Sequence, residues 1–202
     1  KRCEEALADK NKAIELDPSN AEYYDSRAKT LLKLKRYETA LRDAKKAIEL
    51  DASDQDYRAD LAFSLYLNND YVEALNYIDT IDTTFSSYIV YRVRALATLK
   101  KLISAHKKVT LKQKKQILDD LKEAIQISPD NQYSYIYYAQ VLLELDEFED
   151  ARKELEKARE LDPEEPETYH WLGVYYRKIG NNVNAELNDK IATEKGYIPE
   201  PN

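Results

Sequence analysis

Small apolar residues recur along the chain in a regular pattern. Ala40 and Ala47, Ala151 and Ala158, and Ala185 and Ala192 form pairs seven residues apart, the last two pairs being 34 residues from one another. The first two pairs run into acidic, turn-forming tails, Glu49-Leu50-Asp51-Ala52 and Glu160-Leu161-Asp162-Pro163. Ala6 and Ala13, followed by Glu15-Leu16-Asp17-Pro18, repeat the motif without its first half. A fixed period of this length marks stacked supersecondary units and not a closed globule. Function is then expected in a surface and not in a catalytic pocket.

The pattern predicts eleven helices, over 2–17, 21–34, 37–51, 55–68, 71–83, 86–106, 110–128, 132–145, 148–162, 166–179 and 182–195. They group into a half repeat at 1–20 and units at 21–54, 55–87, 88–131, 132–165 and 166–199, with a tail at 196–202. Ala95 fixes the start of the third full unit and Ala124 and Pro129 its end, which leaves it ten residues over length, the excess lying around Leu102–Leu111. Both of its helices are expected to lengthen and to project as a hairpin, a candidate docking element, since insertions in such arrays map to loops on one face. The second unit carries Ile78 and Ile81 on its second helix and no closing proline, which predicts altered local packing.

The last unit reads Tyr169-x-x-Leu172-Gly173-x-x-Tyr176, then Ala185 and Ala192; the one before it reads Tyr135-x-x-Tyr138-Ala139-x-x-Leu142, then Phe148, Ala151, Leu155, Ala158 and Pro163. The first full unit reads Tyr24-x-x-Arg27-Ala28-x-x-Leu31, then Tyr37, Ala40, Ala44 and Ala47. This resembles the tetratricopeptide repeat, an antiparallel helix pair whose small residues allow close helix approach. The resemblance covers nearly the whole chain. It implies an all-α, right-handed superhelical solenoid in which Ala28, Ala62, Ala95, Ala139 and Gly173 sit at the close approach within each pair.

The resemblance also implies that the first helices of the units line a concave groove. In register, its candidate lining residues are Asp56, Asp60, Phe63, Tyr66, Arg92, Val93, Leu96, Leu99, Tyr133, Ile136, Tyr137, Gln140, Trp171 and Val174. An apolar and aromatic lining of that extent is a candidate interaction site. Tyr66, Leu96, Tyr137 and Trp171 are the expected anchors, and Asp56 and Asp60 are expected to receive basic residues of a ligand. Tyr23-Tyr24-Asp25-Ser26-Arg27-Ala28 resembles the segment with which co-chaperone repeats hold a terminal carboxylate. Here, however, the asparagine slot holds Ser26, and slots for Lys and Arg hold Asp56 and Asp60, which would repel a carboxylate.

Charge adds a second candidate. Lys100, Lys101, Lys107, Lys108, Lys112, Lys114 and Lys115 fall in a run without one acid, in a chain of net charge −7. The run reads either as a docking site for an acidic protein, an anionic lipid surface or RNA, or as a solvated hairpin tip. No aromatic residue interleaves with the lysines to stack bases, which favours the tip. The overall acidity counts against nucleic acid as a partner, and membrane contact would be limited to this hairpin. No Cys/His ligand cluster, glycine-rich phosphate loop or nucleophile–base arrangement is recognisable around Cys3, His106 or His170, so no enzyme activity, metal or cofactor is expected.

The apolar side of the first helix (Ala6, Leu7, Ala13 and Ile14) is expected to be partly uncovered and to meet an earlier unit or another copy of the chain. Asn181, Asn182, Asn184, Asn188 and Asp189 give the last helix the polarity of a terminal unit whose outer face meets water. The expected role is that of a protein–protein interaction scaffold or adaptor, taking a peptide or amphipathic helix of a partner in the groove. Two alternatives stand beside it: a chaperone-like holder of secreted or membrane clients, and a regulatory or substrate-binding module joined to an enzyme domain elsewhere in a longer protein.

Overall fold

The computed structural model describes residues 2–82, 84, 85 and 87–199, with the backbone alone for residue 2. The first residue of the half repeat, the expected end of the fifth helix at 83, the expected start of the sixth at 86 and the tail residues 200–202 lie outside the described residues. Among the described residues there are eleven α-helices and no strand. They are α1 (Arg2–Leu16), α2 (Ala21–Lys33), α3 (Tyr37–Leu50), α4 (Gln55–Leu67), α5 (Tyr71–Asp79), α6 (Tyr88–Ser104), α7 (Leu111–Ile127), α8 (Gln132–Glu144), α9 (Phe148–Leu161), α10 (Pro166–Lys178) and α11 (Asn182–Glu194). The chain divides into two compact units, one ending at Lys108 and holding α1–α6, the other spanning Val109–Pro199 and holding α7–α11. The division falls inside the 88–131 segment.

Local chemistry sets the helix limits. Side chains at Asn20, Asp54, Asn131 and Glu165 accept from the backbone N–H two residues on, at 3.0, 2.7, 3.0 and 3.2 Å, and so satisfy an amide that the first turn leaves open. Thr110 and Gln113 close a reciprocal capping box at the start of α7. Each first helix of a pair then stops at a residue in the left-handed region: Lys35, Asn69, His106, Asp146 and Gly180. The N–H just beyond it bonds back to the fifth residue before, as in Arg36 to Leu31, Lys107 to Leu102 and Asn181 to Tyr176, all at 2.9 Å. His106 is thus the turn residue that closes α6. The extra length of the 88–131 segment lies partly before this turn, in α6, and partly after it: α6 and α7 have 17 residues each, against 13 in α2, α4, α8 and α10.

Packing follows the small residues. Ala28, Ala62, Ala95, Ala139, Ala40, Ala47, Ala151, Ala158, Ala185 and Ala192 are all buried, whereas Ala6 and Ala13 on α1 are half-buried. The repeated tyrosines staple each turn to the helix that follows, their hydroxyls donating to the carbonyls of Pro18 (Tyr24, 3.2 Å), Pro129 (Tyr135, 3.0 Å) and Pro163 (Tyr169, 2.9 Å). In the second full unit Arg58 does the same for Ala52 at 2.7 Å. Arg27, which stands where Leu61 and Leu172 stand in other units, forms a two-pronged pair with the buried Asp43 at 2.7 and 2.8 Å and ties α2 to α3.

Two expectations change. The second helix of the 55–87 unit is short: α5 stops at Asp79, where the Thr80 hydroxyl and amide bond to the Tyr77 carbonyl, and Ile78 and Ile81 are buried at its end. The polar residues of the last helix face solvent only in part: Asn182 is exposed, but not all of the others are. Asn188 is buried and bonds the Asn184 carbonyl at 2.8 Å, and Asp189 pairs with Arg177, while Val183 and Leu187 stand 79% and 52% exposed.

Candidate functional site

In the first unit the relevant face is made by α2, α4 and α6, and it is closed by its own charges. Lys29 Nζ lies 2.7 Å from Asp25 one turn away and 2.9 Å from Asp60 on α4. Both carboxylates are buried. Burial pushes the Asp60 carboxyl up to about 6, against the pull of Lys29. Burial also works against the Lys29 charge, but Asp60 and Asp25 outweigh it and hold its pKa above the usual lysine value. Farther along, the buried Arg92 guanidinium lies 4.3 Å from the Phe63 ring centre and 5.3 Å from that of Tyr88. On the other side Lys10 of α1 donates to the Ser26 carbonyl at 2.9 Å.

These contacts correct several sequence expectations. Asp60 takes up a cation of its own chain, so it is not an open acceptor for a ligand's basic residue; Asp56 is exposed at the start of α4. Val93, Leu96 and Leu99 are 0, 2 and 2% exposed, and Tyr66 is buried beside Tyr71 and Phe63. They are core residues, because α6 packs against both α4 and α5 and uses its apolar side there. Leu96 and Tyr66 therefore offer no surface as anchors.

The second unit presents a different face on α8 and α10. Tyr133, Tyr137 and Gln140 follow one another at helical spacing on α8, and Glu167, Trp171 and Val174 repeat that spacing 34 residues later on α10; all six are half-buried. Ile136, between the two tyrosines, is fully buried with Tyr135 and Ala158, and Tyr133 and Trp171 pack against that cluster. The Tyr133 hydroxyl donates to Glu165 at 2.5 Å; burial and then this bond raise its pKa above that of an ordinary phenol. The Trp171 indole N–H lies below the surface with no acceptor in reach among the described residues, an unmet donor of a kind that costs about 1–3 kcal/mol. Beside it His170 meets the Trp171 ring edge-on at 5.3 Å and stacks on Tyr197 at 4.2 Å, with planes 12° apart. Lys195, in the turn that brings Tyr197 back, pairs with Glu164 at 2.8 Å and sits 5.4 Å from the Tyr169 ring centre.

Helix pairs of this length, closed by small residues at fixed register, are matched by two tetratricopeptide-repeat family models, over residues 115–170 and 11–42. Over those residues the chain carries tetratricopeptide repeats (TPR). Among solved structures it is similar to TTC0263, a thermophilic TPR protein of Thermus thermophilus, at 22% identity over 87% of this chain and 91% of that one, with a TM-score of 0.77. It is similar also to YrrB, described as a TPR protein with an unusual peptide-binding site, at 20% identity over 93% and 92% of the two chains and a TM-score of 0.50. Human IFIT1, solved as a dimer with PPP-AAAA, matches at 20% identity and a TM-score of 0.71; the chain is covered to 95% but spans 46% of IFIT1. At these identities the likeness is one of fold. No curated protein matches the chain significantly.

The remaining candidates of this TPR chain sort by unit. Lys100 is half-buried and Lys101 exposed on the last turns of α6, followed by exposed Lys107 and Lys108. Lys112 and Lys115 are exposed on α7, while the half-buried Lys114 pairs with Glu147 at the start of α9. A concavity of about 500 Å³ in the first unit is lined by residues that include Asn69, Tyr71, Glu73, Asn76, Lys101 and Ser104. Among the described residues no group of His, Cys, Asp and Glu side chains is placed to hold a metal ion, and no helix is long and apolar enough to cross a membrane. Sequence reasoning missed the Lys29 bridge to Asp60 and the stacking of Tyr197 on His170. The Asp25–Lys29 spacing of four was visible; the partners from α4 and from the tail were not.

Proposed function

We propose that this protein is a protein–protein interaction scaffold whose binding surface is the α8/α10 face of the second unit. The observation that carries the reading is the register of Tyr133, Tyr137 and Gln140 with Glu167, Trp171 and Val174. Two adjacent helices thereby present aromatic, amide and apolar groups that are half-buried. Tyr and Trp in such settings supply large contact area for little lost side-chain freedom, and they are the residue types most often found as binding hot spots. The periodic face suits an extended or helical peptide, which places side chains at matching intervals. YrrB, with its peptide-binding site, is a relative in fold that supports this class of ligand. The corresponding face of the first unit does not compete for the role, since its slots hold core residues and internal ion pairs.

Peptides selected by display against the immobilised chain test the reading when their affinities are measured for wild type, Tyr137→Ala and Trp171→Ala. Removing an aromatic hot spot costs about 2 kcal/mol, roughly a thirtyfold loss. Selected peptides that bind all three proteins alike would move the binding surface elsewhere. Leu96→Asp is not a useful probe, because it would place a carboxylate in the interior.

A further inference from the structure

We infer that the partner of the α8/α10 face is a cationic segment bearing an aromatic or large apolar side chain, and that Glu165 and Glu167 select its charge. The inference rests on the reading of that face as the binding surface and names the chemistry of what it binds.

Negative charge gathers at the N-terminal end of the face. Glu165 lies at the α10 N-cap and holds the Tyr133 hydroxyl, and Glu167 follows on the stripe itself. Asp162 lies close enough that, with these two glutamates, it adds to the negative field at that hydroxyl. At the far end Lys178 lies 3.9 Å from Asp146, with the exposed Glu144 closing the α8 stripe. Between Val109 and Pro199 the sequence holds 19 aspartates and glutamates against 12 lysines and arginines, so the field around the face opposes an acidic ligand and attracts a basic one.

A segment of the chain itself already binds this way. Where the chain turns back after α11, Lys195 reaches Glu164 at 2.8 Å and lies over the Tyr169 ring, and two residues later Tyr197 stacks flat on His170. Gly196, with φ of 89°, makes the reversal that puts the two side chains on α10. A lysine and an aromatic ring spaced by one residue are thus held by a carboxylate and an aromatic ring beside Trp171. The neighbouring stripe carries groups of the same kinds, the Glu165 and Glu167 carboxylates and the Trp171 and Tyr137 rings. A partner segment in which cationic residues alternate with aromatic or large apolar ones meets both.

The test uses the full chain and three synthetic peptides with leucine and phenylalanine alternating with lysine, with glutamine or with glutamate. Trp171 is the only tryptophan, so its fluorescence reports occupation of the face directly. The lysine peptide is expected to bind about tenfold more tightly than the glutamine one, the equivalent of two partly screened charge contacts, and to weaken as salt is raised; the glutamate peptide is expected not to bind. In Glu165→Gln/Glu167→Gln, which keeps the acceptor that caps α10, the lysine peptide should fall to within about twofold of the glutamine one. If lysine and glutamine peptides bind wild type equally and both are lost from Tyr137→Ala, the charge selection is wrong while the binding surface stands. If the lysine peptide binds without moving Trp171 fluorescence and is indifferent to Tyr137→Ala, the surface itself is wrong and the inference falls with it.

Discussion

The α2–α4–α6 face of the first unit and the α8/α10 face of the second are built on the same repeat frame and used in opposite ways. Lys29 occupies the slot of Gln140 and Val174, and Asp60 that of Tyr137 and Trp171, counting from the start of each unit. In the first unit these positions hold charges that satisfy each other across helices, and α6 turns Val93, Leu96 and Leu99 into core. In the second unit they hold two rings, an amide and a valine that are half-buried, with an indole N–H that finds no acceptor among the described residues. The repeat therefore fixes where a face lies. The side chains placed there decide whether it is closed on itself or left for a partner.

The largest test of this contrast is Leu96→Ala. A fully packed leucine cut to alanine costs about 2–5 kcal/mol, measurable as a lower denaturant midpoint, and peptide binding at the second unit should persist wherever the protein remains folded. Tyr137→Ala should do the reverse, weakening binding roughly thirtyfold for a smaller loss of stability, and equal destabilisation by both would erase the distinction between core and contact residue. Lys29→Ala comes next. It leaves Asp25 and Asp60 buried without their shared cation, a loss of about 2 kcal/mol once the half-exposed position of the ammonium is allowed for; an unchanged melting temperature would mean that the bridge does not hold α2 to α4.

A pH titration sharpens the same point. Asp60 titrates at about 6 in the fold, above its ordinary value of 3.8, so the folded state holds this proton more tightly than the unfolded one. Its contribution to stability is fully present below the unfolded value and is lost as pH rises through about 6. Asp60→Asn should flatten that part of the stability curve between about pH 4 and 6, by an amount on the order of 1–3 kcal/mol; an unaltered curve would assign the slope to other groups. The smallest expected effect is Trp171→Phe. Losing the unmet N–H should return about 1–3 kcal/mol, offset by the buried area that the smaller phenyl ring gives up, for a net change of less than about 1 kcal/mol; a loss of several kcal/mol by thermal melt would show that the indole N–H has an acceptor in solution.

Helix number, the small residues at close approach and the lengthening of α6 and α7 were legible because each depends on spacing along one chain. The stapling tyrosines were legible as a motif, though their bonds to Pro18, Pro129 and Pro163 were not. The lining of the face was legible only as register. Counting in register put Val93, Leu96 and Ile136 beside Tyr137 and Trp171, and only burial separates the first three from the last two. Asn188 of α11 misled for a related reason: it finds the Asn184 carbonyl inside the helix pair, so its polarity did not require solvent.

By itself the sequence determined the repeat, because a 34-residue recurrence of small and bulky residues can bury its apolar sides only by pairing and stacking helices. It also determined which positions of each unit could reach a shared face, since helical periodicity fixes that geometry. Only the tertiary structure decided which of those positions are open. Whether Lys29 meets Asp60, whether Leu96 is core and whether Tyr197 lies on His170 depend on neighbours brought in from other helices and from the tail, and burial and pairing are properties of those neighbours.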